Sequence, residues 1–91
     1  MEPDIQHEEG KRYFIQFGNE RAEASYREMD KTRDFHHTYV PPQVRGRGIA
    51  ELLVRHALDD SMRNGYKLKA TCPYVEAFVK RHPEYQKGLA S

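Results

Sequence analysis

The amphipathic run from about Gly46 to Asn64 constrains this chain more than any other feature. Ile49, Leu52, Leu53, Ala57, Leu58 and Met62 recur at three- and four-residue spacing, which predicts a helix with one core-facing stripe. Asn64-Gly65 supplies its C-terminal stop. Segments that alternate with period two lie on both sides of it. The helix is therefore a crossover, and the strands it joins should be parallel neighbours linked with a right hand.

The first half reads as strands. Asp4 to Gln6 or His7 forms a short one that ends at the Glu9-Gly10 turn. Tyr13, Ile15 and Phe17 share a face of the second, and Gly18-Asn19 is a hairpin turn signal. Ala22, Ala24 and Tyr26 share a face of the third. Phe35, His37 and Tyr39 share a face of the fourth, with His36, Thr38 and Val40 on its other side. Pro41-Pro42 ends it, because proline cannot donate to a ladder. After the helix, Tyr66, Leu68, Ala70 and Cys72 alternate as a fifth strand. Pro73 suits the first turn of a second helix, whose buried face is Val75, Phe78 and Val79. His82-Pro83 ends that helix, and the tail after Tyr85 is expected to fray.

The order β-β-β-β-α-β-α predicts an α+β fold, three-layer-like in the α/β sense. Its mixed sheet of about five strands is an antiparallel meander followed by β-α-β-α. Residues 1–91 read as one domain with an ordered core from about residue 4 to 85. The chain is 37% hydrophobic and 32% charged, and six Tyr and four Phe supply a compact core. A net charge of +1 argues against a nucleic-acid module. One cysteine excludes an internal disulfide and points to a reducing, cytoplasmic setting. No apolar run reaches membrane-spanning length, and MEPDIQHEEG lacks the apolar core of a signal peptide. Five histidines and one cysteine show no metal-ligand spacing, so no metal is expected. A monomer or weak dimer is expected.

Arg45-Gly46-Arg47-Gly48-Ile49-Ala50 opens the long helix. Glycines let a backbone approach a ligand, and a helix N-terminus offers free N–H groups and a positive dipole end. Arginines add charge of the right shape for phosphate oxygens. A phosphorylated ligand is the favoured reading. The competing readings are a solvated Arg-Gly turn and a nucleic-acid patch. Ligands in such sheets favour the carboxyl ends of parallel strands, and that edge holds Val40, residues 45–50 and Cys72. Cys72 precedes a helix N-terminus, which favours thiolate, so it is a candidate nucleophile. The competing and favoured reading is a buried packing residue. His37 is either a general base or a hydrogen-bonded core histidine. Arg63, Lys67, Lys69, Lys80 and Arg81 form either a basic rim or a solvated face.

Arg45, Gly48 and Ala50 fill the pattern Gln/Arg-x-x-Gly-x-Gly/Ala, and the chain resembles the GNAT acetyltransferases. It resembles most a very small subgroup of that family. The matching blocks are His37-Thr38-Tyr39-Val40-Pro41, Arg45 to Ala50, Thr71-Cys72-Pro73-Tyr74-Val75 and Arg81-His82-Pro83-Glu84-Tyr85. The resemblance implies a minimal GNAT fold and an N-acetyltransferase that uses acetyl-CoA or another acyl-CoA. The coenzyme would lie between strands four and five. Its pyrophosphate would rest on the amides of Arg45, Gly46, Arg47, Gly48, Ile49 and Ala50, and its pantetheine arm on the backbone of Thr38 to Val40. Cys72 and His37 would be the catalytic candidates. The chain lacks the N-terminal helices of larger relatives, so the acceptor is expected to be a protruding amine on a protein, or a polyamine. One position departs from the subgroup: Tyr39 stands where it usually has Glu. A phenol of pKa about 10 cannot serve as a carboxylate base near neutrality. An acyl-CoA-binding module with little turnover is therefore the alternative.

Overall fold

The computed structural model describes residues 4–90; Met1 to Pro3 and Ser91, which belong to the expected domain, lie outside the described residues. The elements are β1 (Gln6–Glu8), β2 (Arg12–Phe17), β3 (Glu20–Met29), β4 (Thr32–Tyr39), a 3-10 turn (Pro42–Val44), α1 (Ile49–Arg63), β5 (Lys67–Ala70), α2 (Pro73–Arg81) and a 3-10 segment (Pro83–Gly88). The strands form one sheet in the order β1-β2-β3-β4-β5. Every pairing is antiparallel except β4 with β5, which is parallel, as the crossover requires.

Tyr13, Ile15, Ala22, Ala24, Tyr26, Phe35 and Leu68 are buried on the sheet face that α1 covers. Leu53, Val54, Ala57 and Leu58 of α1 meet them, and Val75, Phe78 and Val79 of α2 close the same core. Each such aliphatic or aromatic side chain contributes roughly 1.5–3 kcal/mol on burial. The alternation and the helical stripe are thus the two halves of a single core.

Four local expectations change. The first strand falls at Gln6–Glu8, slightly later than its pattern placed it. A tight turn at Asp30-Lys31, with φ of 51° and 65°, lengthens β3 and starts β4 at Thr32. Neither residue is glycine, so the usual turn signal was missing. The long helix begins at Ile49 rather than near Gly46, because Gly46 and Gly48 both hold positive φ and remain outside it. The tail does not fray at Tyr85. Tyr85 and Gly88 are buried in the last 3-10 segment, and Leu89 bridges in parallel to Leu68.

Arg33 is 2% exposed on the covered face, a position the alternation did not reveal. Its Nη1 donates to Tyr13 Oη at 2.8 Å and Ser61 Oγ at 3.1 Å, and its Nε to Glu28 at 3.2 Å. The guanidinium lies 3.8 Å from the centre of the Tyr66 ring. These partners are what make a buried cation tolerable.

Candidate functional site

The site is made where the two parallel strands stop pairing. Their register ends at Phe35 and Ala70. Phe35 O then accepts from both Thr71 N (3.1 Å) and Cys72 N (2.9 Å), which ends the ladder while β4 runs on to Tyr39. A bulge coincides with this parting. Tyr26 pairs with Phe35 but Ser25 pairs with His37, so His36 has no partner on β3. The bulge inverts the faces expected beyond it. Thr38, level with Ala24, sits on the covered face, and its Oγ1 is 3.4 Å from Cys72 Sγ. His37, level with Ser25, lies exposed on the opposite face. The structure brings Thr38 and Cys72 together and sends His37 away from both. The expectation that His37 shares a face with Phe35 is corrected, since strict alternation fails at an extra residue.

Pro41 and Pro42 turn the chain out of the sheet, and the 3-10 turn delivers it to the loop Arg45 to Gly48. Gly48 is the N-cap of α1 with φ 74° and ψ 17°, a left-handed conformation that favours glycine. No side chain caps this end of the helix. The first helical bond runs from Leu52 N to Gly48 O at 3.1 Å, so the amides of Ile49, Ala50 and Glu51 have no acceptor inside the helix. An open cleft of about 320 Å³ lies against them, lined in part by Val40, Arg45, Gly46, Gly48, Ile49 and Ala50. Arg47 and Thr38 are not in that lining. Arg45 Nε donates to Val40 O at 2.9 Å across it.

Val44, Glu51 and Tyr74 also line the cleft, and the sequence reading gave them no role. Tyr74 was signalled only by its place in the block after Cys72. Burial, reinforced by the Glu51 carboxylate, pushes its phenol above the ordinary range. Glu51 places negative charge beside a candidate anion site. Arg55 lies 3.7 Å from it one turn on and offsets part of that charge. Cys72 is the N-cap of α2, 7% exposed, with no side-chain cap bond. It is a buried thiol at a helix start, so its packing and its chemistry share one position.

The basic rim does not assemble here as a unit. Arg63 sits in the last turn of α1, about 22 Å along the helix from Gly48. Among the described residues no group of three or more His, Cys, Asp or Glu side chains could hold a metal ion. Among the same described residues no helix is long and apolar enough to cross a membrane.

Comparison with known proteins gives a consistent picture. The sequence model of the GCN5-related N-acetyl-transferases matches residues 12–88. Protein NATD1 of Xenopus tropicalis is 35% identical over 83 residues, which covers 87% of this chain and 76% of that protein. Protein NATD1 of Danio rerio is 34% identical over 87 residues, covering 89% and 79%. The human protein NATD1 is 35% identical over 83 residues, covering 87% and 74%. The NMR structure of a GCN5-like protein from Staphylococcus aureus superposes with a TM-score of 0.76 at 22% identity. That superposition covers 97% of this chain and 88% of the other, and it shows a shared fold.

Proposed function

This chain belongs to the GCN5-related N-acetyltransferase family, and on that premise we propose that it moves an acetyl group from acetyl-CoA to an amine on a protein or polyamine. The observation that carries the reading is the cleft just beyond the end of β4, between the uncapped start of α1 and Tyr74 in the first turn of α2. The coenzyme diphosphate rests on amides of the loop from Arg45 to Ala50, where N–H groups and the helix dipole favour negative charge; within it the Arg45 amide already donates to Pro42 O at 3.3 Å, which leaves the later ones to the ligand. Arg45 and Arg47 add charge at the rim. The pantetheine arm follows the edge of β4 from Val40 towards Thr38, which β5 has left unpaired. The thioester then falls near Thr38 and Cys72, which stand 3.4 Å apart.

In the transfer, the lone pair of a neutral amine attacks the thioester carbonyl carbon. The carbon–sulfur bond breaks, the coenzyme leaves as thiolate, and the proton lost by the amine passes, directly or through water, to that thiolate to give the free thiol. A backbone N–H beside the gap holds the developing oxyanion. Cys72, buried, lines the acyl pocket in this scheme. His37 is on the other face of the sheet, so as a base it serves only an acceptor that arrives from that side. The unpaired cysteine suits a reducing, cytoplasmic compartment.

One observation favours a second reading. Tyr39, at the end of β4, is 37% exposed and supplies no carboxylate where the subgroup resemblance places one. Binding of acyl-CoA with little turnover is the corresponding function. Incubation with acetyl-CoA and candidate amines, followed by intact-mass analysis, separates the two. A gain of one acetyl group on the acceptor supports transfer. Shifted amides at 45–50 with no acetylated product support the binding module. No amide response at millimolar acetyl-CoA rejects both.

A further inference from the structure

We infer that a polar cavity at the C-terminal end of α1 binds a small zwitterion of the α-amino-acid class, its carboxylate on Arg33 and its ammonium on Glu9. The cavity lies about 22 Å along the helix from Gly48, and the inference does not depend on acyl-CoA. Its volume is about 210 Å³, and His7, Glu9, Arg33, Asp60, Asn64 and Tyr66 line it. At about 30 Å³ per water that is room for about seven waters, or for one molecule the size of an amino acid.

The bonds of Arg33 leave one edge of its guanidinium over. The side chain is 2% exposed, and the Tyr66 and Tyr26 rings pack against it at 3.8 and 4.7 Å. Nε donates to Glu28, and Nη1 donates to Tyr13 and Ser61. Nη2 carries two further N–H groups and has no acceptor among the described residues. Arg12 Nε is the one sealed side-chain nitrogen or oxygen without a partner among them, so Nη2 is open to solvent, and Arg33 lines this cavity. His7 adds a second donor. Gly10 N donates to Tyr26 Oη at 2.9 Å, and the hydroxyl hydrogen then goes to His7 Nε2 at 2.6 Å. That assignment leaves the proton on Nδ1, which is 4.0 Å from Asp60 Oδ2 and too far to bond it. The acidic groups differ from one another. Asp60 already accepts from the Tyr13 hydroxyl at 2.6 Å and from Arg63 and Asn64 at 3.3 Å each. Glu9 is exposed at the mouth and belongs to none of the ion pairs of the described residues. A plain anion would be repelled by Glu9 and Asp60, and a plain cation by Arg33. A molecule with a carboxylate at one end and an ammonium at the other satisfies both ends, and two N–H groups on one nitrogen suit carboxylate oxygens.

The test is an NMR titration of the full chain with alanine and with its two halves, propionate and ethylammonium. Alanine should shift the amides of Glu9, Asn64 and Tyr66 and the Arg33 Nε–H signal. Each half should bind about tenfold more weakly, the scale of one lost charge-assisted hydrogen bond. Arg33 sits in the core and its replacement can unfold the chain, so the variant is Glu9→Gln at the exposed mouth. Glu9→Gln should weaken alanine about three- to tenfold and should not weaken propionate. Alanine that shifts none of these signals up to its solubility limit overturns the inference and leaves Arg33 a structural cation. Ethylammonium or propionate that binds as tightly as alanine overturns it in favour of a simple cation or anion site. Unchanged alanine affinity in Glu9→Gln also overturns it. Each of these failures leaves the acetyl-CoA reading intact, because that ligand is placed at the other end of α1.

Discussion

Replacing Gly48 by Ala separates the backbone's role in folding from its role in binding. Gly48 holds φ 74°, and a Cβ built on it meets nothing within 4 Å. The substitution therefore creates no clash, and its cost is conformational alone. A non-glycine residue in the left-handed region costs about 1–2 kcal/mol. For a domain of this size, each kcal/mol lowers Tm by about 4–8 °C. Gly48→Ala should thus lower Tm by roughly 5–15 °C and leave the fold in place. The new methyl group would also stand in the cleft at the mouth of α1. Losing one hydrogen bond to a charged phosphate there costs about 1.5–3 kcal/mol. That corresponds to roughly 10–100-fold in acetyl-CoA affinity. Gly65 provides the control. It has φ 86°, equally open surroundings, and lies past the far end of the same helix. Gly65→Ala should show a similar fall in Tm by thermal unfolding and no change in Kd by calorimetry. Gly48→Asn should recover part of the stability, since Asn tolerates this conformation, but not the affinity. Wild-type affinity in Gly48→Ala, or equal losses of affinity in both alanine variants, would refute a coenzyme held on backbone amides at this turn.

Two more outcomes follow from the same structure. If Cys72 lines the pocket, Cys72→Ser and Cys72→Ala should both keep acetyl transfer within several-fold of wild type, with a stability loss of about 1 kcal/mol for the alanine. Transfer abolished in both, with coenzyme binding retained, would instead demand an acyl-cysteine. His7 stacks on Tyr13 with ring centres 3.9 Å apart and shares a 2.6 Å hydrogen bond with the Tyr26 hydroxyl. Burial first, and then the Arg33 charge, holds its imidazole below the ordinary value of 6.5. The folded state then binds fewer protons than the unfolded one, so this contribution is complete above pH 6.5 and is lost as pH falls towards the depressed folded value. Denaturant unfolding should show stability declining through that window, and His7→Phe should flatten the decline; an unchanged slope would assign it to other groups.

How legible the molecule was differs between its parts. The helical stripe of α1, the Pro73 start of α2 and the parallel β4–β5 neighbourhood came from periodicity and from proline and glycine chemistry, which act over a few residues. The candidate coenzyme loop was readable for the same reason. Its glycines and arginines are adjacent in the chain, and the helix they precede announces itself. Arg33 gave no such signal. A cation in a polar stretch reads as exposed, and only Tyr13, Ser61, Glu28 and Tyr66, from four other elements or their flanks, make its burial possible. The Asp30-Lys31 turn was hidden because its positive φ angles fall on residues other than glycine.

The amino-acid order by itself determined the element sequence, the crossover and the position of the glycine- and arginine-rich loop before α1, because each depends on local spacing. Tertiary structure alone decided the faces of β4. Pairing with β3 leaves His36 over, so Thr38 turns towards Cys72 and His37 turns away. A bulge is the mismatch between two strands, and one strand read alone contains no record of it.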